Sequence, residues 1–379
     1  QDHRRQPSVH HGRGQMMLPD NHMKLLTNTM NVMKKIRSCL FFILFGAASV
    51  LLSCGQEKRD TEELVDPWLR ERTPVGFRLE SQIGAATITQ DWRHDDQGSV
   101  YVQLVTGSLD MSAVKVVSID FAYPESEYCP TASIGKGSVL DLSDGTAEFT
   151  VTAYNGETRT YTVTYGQFKD PLEGVYHHRL VGGILDGGSA GTSMIIHGGW
   201  PDAEVMSTDM DKSWHWGEGY THADEQDNEI SFMLTEVDSE TGATFGTVVN
   251  APGDDGKYAN YVYNNKFDVN EYYRQIPAGS SRWSKTDVNS SVISIYAADD
   301  TKWENPLYQV TLLGPGTISN AGKSVTVENC AFARHFEHAD WVIDNNWPDT
   351  RWMVDNIRNT YWITEKVSDS PLPNHTELF

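Results

Sequence analysis

Cysteine is scarce in this chain: four among 379 residues, at positions 39, 54, 129 and 330. Domains held by disulfides carry many more, so a disulfide framework is excluded as the source of stability. Long apolar runs are also missing. The longest, Cys39 to Leu52 (CLFFILFGAASVLL), has 14 residues, short of the roughly 20 a membrane-crossing helix needs. Positive charge is sparse, with 30 Lys and Arg against 52 Asp and Glu and a net charge of -22. Residues 1–53 take seven of the bases and two of the acids, which leaves 23 bases against 50 acids, or -27, in residues 54–379. A body that acidic repels phosphate backbones and anionic headgroups, so nucleic acid is excluded as a partner. There is no G-x-S-x-G elbow, Walker loop, dinucleotide fingerprint or catalytic cysteine signature.

What is present begins with an export signal. The basic stretch Met33-Lys-Lys-Ile-Arg leads into the apolar run, which ends in Leu51-Leu52-Ser53-Cys54-Gly55. A basic start, a short apolar core and a small residue before the cut are what a secretory signal requires. The Leu-Leu-Ser-Cys ending resembles the lipobox of bacterial lipoproteins, and that resemblance implies lipidation of Cys54 and anchorage through lipid alone. Residues 1–32 do not fit a signal; they read as a non-native extension or a misassigned start ahead of Met33, and His10-His11 is not taken as a metal site. With Cys39 in the signal and Cys54 acylated, Cys129 and Cys330 remain as two free thiols.

Residues 54–75 are charged and lack strand alternation, as a tether would be. From 76 to 169 the pattern is β. Ser99–Thr106, Ala113–Phe121, Ala147–Ala153 and Thr158–Tyr165 alternate in polarity, and Asn155-Gly156 predicts a two-residue hairpin turn between the last two. The stretch FTVTAYNGETRTYTVT resembles the last hairpin of bacterial immunoglobulin-like modules, which implies an immunoglobulin-like sandwich acting as a spacer. Residues 170–379 stay β with longer connections, and no long helical periodicity appears. The strands expected are Thr192–His197, Glu229–Glu236, Thr244–Asn250, Tyr258–Tyr263, Ser291–Ala297, Leu307–Leu313, Lys323–Glu328 and a closing Trp352–Val367. This predicts an all-β protein whose second domain is a larger jelly-roll or two-sheet sandwich. The whole layout resembles the surface lipoproteins of Bacteroidetes glycan-utilisation systems.

The densest aromatic patch is Trp214-His215-Trp216-Gly217-Glu218-Gly219-Tyr220, preceded by His197-Gly-Gly-Trp200. Sugar C–H faces stack on such rings while carboxylates accept hydroxyl protons, so Trp200, Asp211, Trp214, Trp216, Glu218 and Tyr220 form the candidate glycan site. Strand packing of Trp214 and Trp216 is the competing reading. Trp341, Trp347, Trp352, Tyr361 and Trp362 read as core. His335 and His338 fall on opposite faces of any strand, against a zinc site. Asp209, Asp211 and Asp254-Asp255-Gly256 are the places where calcium could sit, although Asp-Gly is also a plain turn. No catalytic or metal residue is assigned and no cofactor is expected. Glu218, Glu229 and Glu236 are the first acids to test should hydrolysis be found.

The expectation is therefore a lipid-anchored outer-membrane protein at the cell surface or the periplasmic face. It binds a glycan, with an outer-membrane protein as a further candidate partner. A glycoside hydrolase or lyase and an adhesive subunit are the alternatives.

Overall fold

The computed structural model describes residues 67–90, 95–181, 191–210, 222–337 and 351–379. Cys54 lies outside them. The first strands make a two-sheet sandwich. β1 (Gly76–Leu79), β4 (Val114–Asp120) and β6 (Val139–Leu140) form one sheet. β2 (Gln82–Thr89), β3 (Gln97–Leu104), β5 (Thr131–Ala132), β7 (Thr146–Thr152) and β8 (Thr158–Gln167) form the other, in the order β2-β3-β8-β7-β5. Polarity alternation puts one face of each strand in the core: Val100, Val102 and Leu104 from β3, Phe149 and Val151 from β7, Tyr161 and Val163 from β8. The rings of Phe77, Phe149 and Tyr161 stack in file at 5.4 and 5.3 Å. β3 and β8 pair in parallel, the one parallel pairing among the described strands. The predicted two-residue turn is instead three residues, Tyr154-Asn155-Gly156, closed by Ala153 N–H to the Glu157 carbonyl. Only Gly156, at φ +86, is left-handed there, so a type I turn with a glycine bulge forms in place of a type I′ turn.

The second half departs from the expected jelly roll. It comprises β9 (Gly174–His178), β10 (Met194–Trp200), β11 (Ala203–Thr208), β12 (Glu229–Val237), β13 (Thr244–Ala251), β14 (Val262–Tyr263) and β15 (Phe267–Asp268). β16 (Gly279–Lys285), β17 (Val292–Ala297), β18 (Tyr308–Leu313), β19 (Gly316–Asn320), β20 (Lys323–Val327), β21 (Cys330–His335) and β22 (Ile357–Ser368) follow. The order β9-β12-β13-β16-β17-β18-β21-β22 closes back on β9, every pairing antiparallel. This is an eight-stranded meander barrel, in which neighbours in space are neighbours in sequence. A jelly roll instead needs crossings between two sheets. Three inserted hairpins, β10–β11, β14–β15 and β19–β20, supply the extra strands that make the sequence look like a larger sandwich. β22 is twelve residues long, roughly 40 Å at strand rise. Its first half pairs with β10 and its second half with β9.

Inward-facing side chains fill the barrel at mid-height. Tyr176, Phe232 and Phe332 meet with ring centroids 5.3 to 5.7 Å apart, and Trp283 adds its edge to Phe232 at 6.2 Å. Trp362, opposite Phe332 in the ladder, completes the layer. Gly246 sits across from Trp283. A Cβ there would come within 2.5 Å of the indole, so the missing side chain is what lets the ring lie inward. Below this layer the Lys285 ammonium meets Asp170 at 2.7 Å, both enclosed, and also donates to the Val288 carbonyl.

Residues 68–379 form one compact unit. The sandwich abuts the end of the barrel where Lys285 lies. Ile83 and Val105 join the barrel's apolar core beside Leu172 and Val237, and Ser108 Oγ donates to the Thr235 carbonyl at 2.6 Å. On the barrel's outer wall, Ile318, Val325 and Val327 of the β19–β20 hairpin cover Ile195, Tyr361 and Ile363. Elsewhere on that wall His375 bridges Ser231 and Thr247 at 2.8 Å each. Cys129 and Cys330 are both free thiols.

Two expectations follow. Phe332→Ala opens a void in the aromatic layer and lowers unfolding free energy by about 3–5 kcal/mol, read from the urea midpoint. Burial pushes the His375 imidazole down from 6.5 to about 4. Because the unfolded chain takes the proton first, the stability held by the neutral ring is complete above pH 6.5. It is lost as pH falls toward 4, by up to about 3 kcal/mol. His375→Gln should flatten the stability profile in that window; an unchanged slope would assign the acid sensitivity elsewhere.

Candidate functional site

The two ends of the barrel differ in their connections. Toward the sandwich, β12–β13 and β16–β17 are joined by short turns, 238–243 and 286–291. At the far end the connections are long: 209–228, 252–278, 298–307 and 336–356. Concave sites form where long connections meet over a rigid scaffold. This loop end is the candidate site.

Strand alternation sets its floor. Above the aromatic layer several inward positions are polar: Asn250 on β13, Arg334 on β21 and Thr360 on β22, all buried. Arg334 and Thr360 are cross-strand partners. Thr360 Oγ1 accepts from Gln275 Nε2, while Gln275 Oε1 is enclosed with no donor among the described residues.

Glu225 organises the loop above. It closes a short helical turn, His222–Glu225, and is 2% exposed. Its carboxylate takes Arg274 Nε and Nη2 at 3.1 to 3.2 Å, Asn250 Nδ2 at 3.0 Å and the Ala259 N–H at 3.1 Å. A buried acid is tolerable only with this many donors. The result fastens residues 258–276 to the top of β13. Within that loop Tyr261 and Tyr273 pack at 5.5 Å. Burial raises both phenols well above their ordinary range, so they stay neutral. A cavity of about 260 Å³ lies alongside, lined by Asn270, Glu271, Arg274, Pro277, Ala278, Leu307 and Tyr308.

Arg334 lies beneath. Its guanidinium is 3.7 Å from the Tyr308 ring centroid and 4.8 Å from that of Phe336. Nη1 donates to the Glu271 carbonyl at 2.6 Å. Burial draws its pKa below the ordinary value, but an arginine stays charged in water-range pH.

The sequence candidates fare unevenly. Trp200 ends β10 at the tip of the β10–β11 hairpin, paired with Ala203 and 39% exposed. The hairpin rises beside the first half of β22, so this ring stands at the loop end. Gly198 and Gly199 below it are required. A Cβ on Gly198 would meet the Trp352 carbonyl at 2.2 Å, and Gly199 has φ +102. Asp211, Trp214, Trp216, Glu218 and Tyr220 lie outside the described residues, as do His338, Trp341 and Trp347. Trp352, Tyr361 and Trp362 are buried, matching the packing expectation. Glu229 and Glu236 sit at opposite ends of β12, roughly 23 Å apart at strand rise, too far to act on one glycosidic bond. Asp209 is buried against Thr192 Oγ1. Asp255 accepts the Lys257 N–H beside left-handed Gly256, a turn. Among the described residues no three His, Cys, Asp or Glu side chains cluster as metal ligands would.

Sequence reading missed Arg334, Tyr308, Gln275 and the Glu225–Arg274 pair. It also missed a row across the outer wall, in which Asn359 Nδ2 donates to His197 Nδ1 and Asn359 Oδ1 accepts from His335 Nδ1, at 2.9 Å each. His197 Nε2 faces Glu204 at 3.5 Å. Burial lowers the His197 pKa, with Glu204 opposing the shift.

The chain matches no family model, no curated protein and no solved structure.

Glu225→Gln leaves Arg274 charged and half-paired in a buried setting. We expect a loss of about 3 kcal/mol in stability and earlier proteolytic cleavage within 252–278, mapped by mass spectrometry.

Proposed function

We propose that this chain is a lipid-anchored surface protein that binds a glycan at the loop end of its barrel. The observation that carries the reading is the loop end itself. The described connections 252–278 and 298–307 overlie a layer of polar side chains, with a cavity beside them and the exposed Trp200 at the same end. The filled mid-barrel leaves no room for an interior ligand, so recognition falls to the rim. Sugars match such a surface because each ring has an apolar face for stacking and hydroxyls for polar partners. The sequence adds Asp211, Trp214, Trp216, Glu218 and Tyr220, which belong to the 209–228 connection that leads into β12 at this rim.

Anchorage rests on the lipobox at Cys54. Among the described residues no helix is long and apolar enough to cross a membrane. In this reading the sandwich is an immunoglobulin-like spacer, which its parallel β3–β8 pairing fits, and it presents the barrel with the loop end outward. An outer-membrane protein remains a candidate second partner. Hydrolysis finds no support from Glu229 and Glu236, and calcium has no described residues arranged for it.

The test is a glycan-array screen of the full chain, with reducing-sugar release measured on each hit. Binding without release is expected. Trp200→Ala should weaken binding about tenfold, since one stacked ring is worth about 1 kcal/mol or more. Release of sugar would replace the binding module with a hydrolase, and silence on all glycans would end the reading.

A further inference from the structure

Two arginines at the loop end are held in nearly the same way, but among the described residues only one has an acid. Arg274 presents its Nε–Nη2 edge to Glu225 and satisfies it bidentately. Arg334 uses Nη1 on the Glu271 carbonyl, and its guanidinium plane is fixed against Tyr308. Its Nε–Nη2 edge has no hydrogen bond, and no carboxylate lies within ion-pair distance among the described residues. Glu271, which lines the adjoining cavity, acts on Arg334 only at longer range. Arg334 is nonetheless 7% exposed, inward-facing, and directly above the aromatic layer.

Enclosing a guanidinium costs hydration that the protein ordinarily recovers with a counter-ion. Here the ring stack and one carbonyl recover part of it and leave a pre-oriented fork, the geometry that matches a carboxylate or sulfate. The stack also removes the rotamer freedom that a ligand would otherwise have to freeze. The net charge of -22 makes the placement more telling. Acids are plentiful on this chain, yet none of those described pairs with this edge.

We infer that the loop end selects an acidic glycan, and that Arg334 receives the carboxylate of a uronic acid residue through its Nε–H and Nη2–H. This rests on the glycan reading above and narrows it to a ligand class. Tyr308, on which the guanidinium is stacked, also lines the adjoining cavity with Leu307, and Glu271 disfavours ligands with a second negative charge on that side.

The experiment is calorimetric titration of the full chain with a glucuronate-containing oligosaccharide and with the same oligosaccharide after carboxyl reduction. A parallel arm follows the melting midpoint in inorganic sulfate. The acidic sugar should bind at least tenfold tighter than its reduced form. Arg334→Gln should abolish that preference, and Arg334→Lys, which keeps charge but not the fork, should fall between. Unliganded melting midpoints of both variants check that they fold. Equal affinity for the two sugars, or a preference that survives in Arg334→Gln, overturns the inference and leaves glycan binding intact. If no sugar binds but sulfate stabilises the wild type and not Arg334→Gln, the anion site stands and the glycan reading falls. Silence in both arms overturns both.

Discussion

The aromatic layer at the waist of the barrel is the constraint on which the rest depends. Eight strands enclose a lumen just wide enough for inward side chains to fill, and here Tyr176, Phe232, Trp283, Phe332 and Trp362 occupy it. Each ring needs its own concession from the chain. Gly246 gives up a side chain for Trp283, and Tyr176 places its hydroxyl on the Leu172 carbonyl at 2.9 Å. With the waist filled, the barrel is a solid pedestal. Its two ends then diverge: one is sealed by the Lys285–Asp170 pair and the sandwich, the other is left to long connections. Above the waist the inward polar side chains are Arg334, Asn250 and Thr360.

Asp170 and Glu225, both buried, show different uses of the same chemistry. Asp170 neutralises a lysine where nothing needs to enter. Glu225 neutralises Arg274 and at the same time gathers Asn250 and the Ala259 amide, so one carboxylate holds a strand and a loop in register. Arg334 lies close by without such a partner among the described residues, and this asymmetry is local to the loop end.

Much of the strand content is legible from alternation. Glu229–Glu236 and Thr244–Asn250 are close to β12 and β13, because each has one face in the core and one toward solvent or a cover. Two strands escape. β16, GSSRWSK, is poor in β-branched residues and puts a lysine inward. β21, CAFARH, has small residues on its outer face because the β19–β20 hairpin lies over it, so no polar alternation survives. Tyr258–Tyr263 misleads in the opposite sense. Its rings are buried like those of a strand, yet the Tyr261 N–H bonds to Asn270 Oδ1, and only Val262–Tyr263 pairs. Barrel closure has no local signal at all, since nothing in β9 or in Trp352–Val367 marks them as partners. The same holds for Arg334, whose lack of an acid among the described residues can be seen only once its neighbours in space are known.

That closure joins residues far apart in the chain: Arg179 beside β9 pairs with Glu365 on β22 across 186 positions. Until β22 is available, β9 has a bare edge and the waist aromatics face solvent on an open sheet. Long-range closure of this kind is slow to form and exposes sticky intermediates. During synthesis the first seven barrel strands must therefore wait for the eighth. Any machinery that handles the nascent protein must keep those strands apart for the time it takes to produce nearly the whole domain.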